Sequence, residues 1–307
     1  MKTRLLKSAL VCASLASGLA QAAPVLLQSN FVRVNITDRG VFDSLRYDPT
    51  NTGTFPGDKD YVSPGIPFEG FEVRLTTAAG GAASYANSNS GGQSLTGTTA
   101  AAAGSFDYGA SWTGGNNLFS LTHLFFFNAA DERVNISSTL TALADLQDVR
   151  VSRAVDPDPD NYPGGSAATN NQRGIPAQSI PTADFVGSLG SISGYPLGLY
   201  YAGSLTHNTG IVSSCCSVTD PDQYLAGGGL GNASSGDHGI GIAFDLGDLA
   251  QGESISWSYA YVMGGSLADI DIPDDGTDVP EPGTLAMAGL GLLMLGRVRR
   301  AVASRKS

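Results

Sequence analysis

Basic residues are scarce in this chain of 307 residues. Lysine and arginine together number 17 against 28 aspartates and glutamates, and eight of the 17 lie in the two terminal segments. This excludes a nucleic-acid partner, because a phosphate backbone is bound through clustered lysines and arginines. Between the terminal segments Lys59 is the only lysine, which also disfavours a lysine nucleophile or Schiff base.

Charge of either sign is low, at 15% of residues, and helical periodicity is almost absent between the termini. Hydrophobic residues make up 42%, with 40 glycines and 15 prolines. This composition is typical of a globular chain that has many turns and buries a substantial core. We expect one main domain.

Residues 1–22 have the features of a secretory signal peptide. Three basic residues precede an uncharged apolar run, and Ala20-Gln21-Ala22 has the small-x-small pattern of a signal peptidase site. We expect cleavage between Ala22 and Ala23, because cleavage after Ala23 would leave Pro24 as the first residue. The alternative is a retained N-terminal anchor.

The other end of the chain has three elements in order. Pro280-Glu281-Pro282 is followed by an uncharged apolar segment and then by Arg297, Arg299 and Arg300. As a helix the segment would be about 21 Å long, against about 30 Å for a bilayer core. Arginines directly after an apolar run stay on the cytoplasmic side, which predicts a short transmembrane helix over 284–296.

These three elements resemble a PEP-CTERM sorting signal, the tail that exosortases recognise in Gram-negative bacteria. The resemblance, over 280–303, implies export through the inner membrane, a transient C-terminal membrane anchor and cleavage by an exosortase near the tripeptide. The product would lie at the cell surface or outside the cell, with extracellular polysaccharide as a partner. The alternative is an ordinary single-span anchor. Residues 269–279 form an acidic spacer before the signal.

Residues 23–268 predict an all-β domain, an antiparallel β-sandwich with a super-sandwich as a variant. From Ser254 to Met263 large apolar residues alternate with small ones, the period of a half-buried strand. Residues 76–105, almost all small or polar, predict a low-complexity loop or poorly packed edge strands. The other predicted strands are Phe31 to Ile36, Phe71 to Leu75, Leu118 to Phe127, Val134 to Ala142, Val149 to Val155, Leu197 to Tyr201 and Ile240 to Leu246.

Two runs in the domain, Tyr61 to Phe71 and Arg153 to Asp160, resemble segments of uncharacterised bacterial surface proteins. The strand pattern is also similar to that of the super-sandwich domains of galactose mutarotase-like carbohydrate enzymes. The first resemblance implies a surface protein with no assigned activity. The second implies an alternative function, a carbohydrate-active enzyme of the mutarotase, lyase or hydrolase type.

Support for catalysis is thin at the level of residues. Glu69 with a loop aspartate such as Asp237 could serve glycoside chemistry, but 28 acidic residues produce such pairs by chance. His123 lies in an aromatic strand, where a core role is expected. We therefore expect a non-catalytic binding or structural role. The remaining histidines and the aromatic residues that could stack on sugars are His207, His238, Trp112, Tyr195, Tyr200, Tyr201 and Trp257.

Asp156, Asp158 and Asp160 alternate just beyond a predicted strand. Such a density of carboxylate oxygens suits calcium, although the loop is not an EF-hand, because Asn161 stands where the glycine should be. Side chains at alternate positions of an extended segment point the same way and repel unless a metal or Arg153 neutralises them. Calcium is thus a candidate cofactor, with a solvated acidic turn as the other interpretation and a calcium-dependent adhesin as a further functional alternative. Additional candidate ligands are Asp220, Asp222 and Asp237.

Cys215 and Cys216 are adjacent and are the only cysteines after the signal peptide. Export into an oxidising compartment makes a disulfide between them one option. An intermolecular bond and two buried thiols are the others. A zinc site is disfavoured, because no second cysteine pair is present.

Overall fold

The computed structural model describes residues 23–56, 59–217 and 219–273, and most of these residues are in strands or in the turns between them. One short α-helix, α1 (Pro221–Leu225), is present among them. The strands are β1 (Val25–Gln28), β2 (Val32–Ile36), β3 (Phe42–Tyr47), β4 (Glu69–Thr77), β5 (Ala82–Ser88), β6 (Thr96–Ala101), β7 (Tyr108–Gly115), β8 (Phe119–Phe127), β9 (Arg133–Ala142), β10 (Leu146–Val155), β11 (Thr169–Arg173), β12 (Phe185–Gly190), β13 (Pro196–Tyr200), β14 (Thr206–Val212), β15 (Ala233–Gly236), β16 (Gly239–Leu249) and β17 (Ser254–Met263).

The strands form three antiparallel sheets. The largest has the order β15-β11-β12-β13-β17-β9-β8-β7-β6, the second has the order β14-β16-β10-β4-β5, and the smallest is β1-β2-β3. All paired strands run antiparallel. The prediction of an all-β, antiparallel architecture is confirmed.

The nine-stranded and five-stranded sheets pack face to face across one hydrophobic core. Phe71 of β4 meets Trp112 of β7 with ring centroids 5.4 Å apart, and Phe244 of β16 meets Tyr259 of β17 at the same distance. The three-stranded sheet contributes Phe42, which contacts Phe125 and Tyr261 of the large sheet. Inward-facing aromatic side chains from opposite sheets fill the interior, as in a β-sandwich.

All eight strands predicted from the sequence are present, and β17 has the bounds that the alternation indicates. The expectation that β17 is half-buried holds only at its start. Ala260 and Val262, which point away from the main core, are also buried, because they pack with Phe185 and Ile270 in a second apolar cluster. The last turn of the described chain therefore covers the outer face of this strand.

Residues 76–105 contain two edge strands, β5 in the second sheet and β6 in the largest. Where β6 contacts Trp112, close packing explains why its residues are small. A Cβ atom on Gly97 would lie 2.4 Å from Nε1 of Trp112, so only glycine fits beneath the indole ring.

The beginning of the predicted acidic spacer packs on the domain. The backbone N–H of Glu132 donates a 2.7 Å hydrogen bond to Asp271 Oδ2, and Arg133 forms an ion pair with the same carboxylate. Four predicted features lie outside the described residues. They are the signal peptide, the rest of the spacer, the sorting signal and the helix 284–296. Within those residues, no helix is both long and apolar enough to cross a membrane.

Candidate functional site

Glu69, the candidate glycoside carboxylate, lies in the core and is fully buried. It forms an ion pair with Arg153, which is also fully buried. The N–H of Phe42 donates to its Oε2 at 2.7 Å, and the hydroxyl of Tyr261 donates to its Oε1 at 2.8 Å. These contacts satisfy a carboxylate that solvent does not reach, so Glu69 serves the packing of three sheets.

Arg153 stays charged in this setting. Burial opposes its charge, but the neighbouring carboxylate of Glu69 raises the pKa of the guanidinium above its ordinary value. The rings of Phe42, Phe71 and Phe125 lie 5.1, 5.8 and 5.6 Å from the guanidinium carbon, distances suited to cation–π contacts. Arg153 is thus engaged in the core and does not neutralise the aspartates that follow it.

The three histidines lie in different surroundings. His123 is fully buried, as its place in an aromatic strand predicts. Nε2 of His207 lies 3.1 Å from Oδ1 of Asp184, and this half-buried pair stands at the start of β14. His238 lies in the turn between β15 and β16. Sequence reasoning missed the pairing of His207 with Asp184, which no local pattern signals.

Among the described residues, one close group of three carboxylates lies where β10 and β16 meet the loops at one end of the second sheet. In the register of these strands Val155 is opposite Ile240, so Asp156 comes just after β10 and Asp237 just before β16. Beyond Asp156, the backbone N–H of Asp158 donates to the carbonyl of Tyr61 at 2.9 Å. Strand register and this bond bring together aspartates from two distant parts of the chain.

One carboxylate oxygen of each of Asp156, Asp158 and Asp237 lies within 4.8 Å of the other two. Asp156 and Asp158 are each 3% exposed, whereas Asp237 is exposed. Burial, and then the charges of Asp158 and Asp237, raise the pKa of Asp156 to about 8. Burial raises the pKa of Asp158 to about 6, although a hydrogen bond from Asn161 acts the other way and Asp237 adds to the rise. The group thus brings three carboxyl groups together in a poorly hydrated place, where ionisation of Asp156 and Asp158 is disfavoured.

The third predicted ligand, Asp160, is turned to a different loop. Its Oδ2 accepts hydrogen bonds from the backbone N–H groups of Ile192 and Ser193 at 2.7 and 2.9 Å. The structure therefore brings together the first two aspartates of the Asp156, Asp158 and Asp160 set and adds Asp237, one of the additional candidates. Asp220 and Asp222 lie at α1, where they pair with Arg74.

Cys215 and Cys216 form a disulfide with each other. The Sγ atom of Cys216 lies 3.6 Å from Oδ2 of Asp156, so the disulfide borders the acidic group. A disulfide sulfur carries no hydrogen and donates nothing to the carboxylate. The cysteines and Asp156 also form a second group whose sulfur and oxygen atoms lie within 4.8 Å of one another.

The aromatic residues considered for sugar stacking are mostly buried. Trp112 is fully buried and Trp257 is 5% exposed, so neither ring offers a face to a sugar. Tyr200 and Tyr201 are also buried. Tyr195 is partly buried and packs against Tyr47. Asp184 and Tyr200 help to line a groove of about 440 Å³. Arg150 and His207 help to line another groove, of about 400 Å³.

Taken together, the described residues form an all-β, antiparallel sandwich with an acidic, disulfide-bordered corner. The C-terminal tail adds a more specific assignment. Residues 278–300 match the family model of the PEP-CTERM protein-sorting motif, so the chain carries this motif, as the three ordered elements at that end predict. The motif implies export and processing by an exosortase.

No curated protein matches the chain. Among solved structures it is similar to a galactose mutarotase related enzyme from Lactobacillus acidophilus, with 8% identity, a TM-score of 0.43 and coverage of 81% of this chain and 100% of that one. A protein of Synechocystis sp. PCC 6803 has 7% identity, a TM-score of 0.42 and coverage of 80% and 97%. A galactose mutarotase-like protein from Lactobacillus casei has 11% identity, a TM-score of 0.36 and coverage of 78% and 99%. At these scores the similarities assign no activity to this chain.

Proposed function

We propose that this chain is an exported surface protein whose β domain acts outside the cell by binding or by building matrix, without catalysis. The observation that carries the proposal is the match of residues 278–300 to the PEP-CTERM protein-sorting motif. Exosortase processing near Pro280-Glu281-Pro282 would release the domain or attach it at the surface. The membrane is then a transient partner.

The placement of the catalytic candidates supports a non-catalytic role. Glu69 and His123 have no exposed surface, and a general acid or base must come within hydrogen-bond reach of its substrate. His207 is paired with Asp184 elsewhere. Glu69 and His123 are therefore out of reach of a substrate in the folded domain.

The negative charge of the domain also limits which polysaccharide it can bind directly. The domain and spacer hold 27 of the 28 acidic residues of the chain, so an anionic extracellular polysaccharide would be repelled at short range. Association with such a polymer would require a divalent cation between the two. A neutral polysaccharide or another surface protein needs no such bridge.

The intact mass of the protein, measured separately from membranes and from medium of the native host, tests the sorting step. We expect a form that begins near Ala23 and ends near Pro280 to Pro282, because signal peptidase and exosortase cut at these places. A matched host strain without the exosortase should instead accumulate a membrane form that retains Arg297 to Arg300. Retention of Ser307 in cells with active exosortase would contradict the proposal.

The role outside the cell requires a second measurement. The released protein is mixed with polysaccharide isolated from the same host, with calcium or with EDTA, and the sedimenting fraction is compared. The proposal predicts co-sedimentation and no change in the NMR spectrum of the polysaccharide. New anomeric or unsaturated-sugar signals that grow with time would instead identify the carbohydrate-active enzyme alternative.

A further inference from the structure

The acidic group at the end of β10 has no positive protein charge to balance it. Among the described residues, Asp156, Asp158 and Asp237 form no ion pair with an arginine, lysine or histidine. Arg153, the nearest basic residue in the sequence, is paired with Glu69. Buried carboxylates that stay ionised are normally paired or bound to a metal, so a cation from outside the chain is needed to keep these groups ionised.

Asp158 gives an independent indication of a ligand. Its Oδ2 accepts a 3.0 Å hydrogen bond from the side-chain amide of Asn161, but its Oδ1 is buried and has no hydrogen-bond partner. The side chain is 3% exposed, so bulk water does not supply the missing contact. Unsatisfied buried oxygens are rare in native proteins and commonly mark an ion or a water.

The backbone at Gly65 leaves room for the hydrogen bond between Asn161 and Asp158. Gly65 has a φ of +67°, and a Cβ atom on it would lie 2.9 Å from Oδ2 of Asp158 and 2.3 Å from Nδ2 of Asn161. Glycine at this position lets the amide and the carboxylate approach the chain closely. Pro157 and Pro159, with φ fixed by their rings, limit the movement of Asp158. The carboxylate is thereby held in place before any ion arrives.

The chemistry of the group selects the ion. Calcium–oxygen distances of about 2.3–2.6 Å place oxygens on opposite sides of one ion about 4.6–5.2 Å apart. Three oxygens within 4.8 Å of one another lie close to the spacing at which all three contact a single calcium ion, so a small inward movement of exposed Asp237 would complete the contact. Exposed Asp237 leaves one side open to water, and calcium accepts such irregular coordination, whereas magnesium requires a near-ideal octahedron.

The neighbouring disulfide provides no thiolate ligand for a soft metal ion. Zinc and copper bind thiolates, but Cys215 and Cys216 are bonded to each other and have no thiolate to offer. Of the two groups that share Asp156, only the oxygen group can act as an anionic ligand set while the disulfide is intact.

We propose that Asp156, Asp158 and Asp237 bind one Ca²⁺ ion and so fasten the end of β10 to the start of β16. The ion would neutralise two buried carboxylates and provide the partner that Oδ1 of Asp158 lacks. Asp237 closes the site from the solvent side. This site does not depend on how the chain is sorted, and its failure would leave the proposed surface function untouched.

Calcium titration of the released protein tests this proposal. The protein is treated with EDTA, exchanged into metal-free buffer and titrated with CaCl2 or MgCl2 in a calorimeter, and thermal unfolding is followed in parallel. We expect one calcium ion per chain, weaker binding of magnesium, and a melting temperature that rises with the calcium concentration, because an ion that binds only the folded state stabilises it.

Variants separate this ligand set from its neighbours. Asp237→Asn, at an exposed position, should fold and should weaken calcium binding by about tenfold or more, because a formal charge is lost from the ligands. Asp158→Asn should also weaken calcium binding, and it removes a carboxylate that is buried. Asp160→Asn is the matched control, since its carboxylate bonds to the loop at Ile192 and Ser193, and it should bind calcium as the unaltered protein does.

Three results would overturn the proposal. The first is an unchanged melting temperature and no heat of binding at millimolar calcium. The second is calcium affinity that survives Asp237→Asn and Asp158→Asn. The third is binding of zinc, and not of calcium, by the protein with its disulfide intact.

Discussion

His123 shows how the core controls the charge of a single residue. Its ring stacks on Trp112 with centroids 5.5 Å apart and meets Phe71 edge-on at 4.8 Å. Nδ1 lies 2.8 Å from the hydroxyl oxygen of Ser138. Burial, with the charge of Arg153, holds the pKa of His123 well below its ordinary value. The folded protein therefore keeps the imidazole neutral at pH values at which the unfolded chain protonates it.

We expect the contribution of His123 to the free energy of unfolding to fall as the pH drops below about 6.5, the ordinary pKa of histidine. Asp156 and Asp158, whose pKa values are raised in the folded chain, contribute in the opposite direction, so the effect of His123 is obtained from the difference between two proteins. A proton bound only by the unfolded chain contributes about 1.4 kcal/mol per pH unit in this window. His123→Phe keeps the ring contacts but cannot be protonated, so it should lose this part of the slope. Urea unfolding over about pH 4.5 to 7.5 measures both proteins, and equal slopes would show that His123 does not carry the effect.

Individual residue roles were predictable from the sequence only where local context decides them. An aromatic run around His123 indicates burial, and the structure places it in the core. The burial of Glu69 depends on Arg153 and Tyr261, which lie far along the chain, so its local sequence fits a catalytic carboxylate equally well. Because Asp158 and Asp160 stand at alternate positions, the sequence places their side chains on the same side of the chain. In the structure, two backbone N–H groups of a later loop bind the carboxylate of Asp160 and keep it out of the group formed by Asp156, Asp158 and Asp237.

At the scale of strands, β6 shows how one large side chain determines the composition of its neighbour. A Cβ atom at Gly97 would lie 2.4 Å from Nε1 of Trp112 and 2.7 Å from the carbonyl oxygen of Thr113. The indole N–H donates a 2.8 Å hydrogen bond to the carbonyl of Asp38, so the ring cannot move without breaking a contact between two sheets.

Gly97→Ala should therefore destabilise the domain by about 1–3 kcal/mol, the usual cost of overpacking a tight core. Gly81→Ala is the matched control, because its Cβ would meet Thr77 Oγ1 at an ordinary 3.5 Å. Chemical denaturation of both variants gives the difference in unfolding free energy. If the two alanines have equal effects, contact with the indole ring does not explain the glycine at position 97.

Strands with alternating side chains could be found from the sequence, and their order in the sheets could not. Period two marks β9, β16 and β17 because one face of each is packed on the core. It fails in β5 and β6, where nearly all residues are small and Tyr85 is the one large side chain. Sheet order depends on pairings such as β13 with β17 and β10 with β4, which join distant segments and leave no local pattern.

At the scale of the whole molecule, the balance of charge opposes compaction. All 28 acidic residues, but only nine of the 17 basic residues, lie in residues 23–282, and a large net charge destabilises a folded chain through self-repulsion. Salt shortens the range of this repulsion from about 10 Å at 0.1 M to about 3 Å at 1 M.

We therefore expect the melting temperature of the released protein, kept in EDTA to remove calcium, to rise with the concentration of sodium chloride. A variant in which four exposed alanines become lysine lowers the net negative charge and should show a smaller rise than the same protein with glutamine at those positions. The substituted residues are Ala79, Ala103, Ala130 and Ala177. The glutamine protein controls for the loss of alanine. Equal salt dependence in the two variants would show that specific ion binding, and not screening of the net charge, produces the rise, because the two proteins differ only in charge.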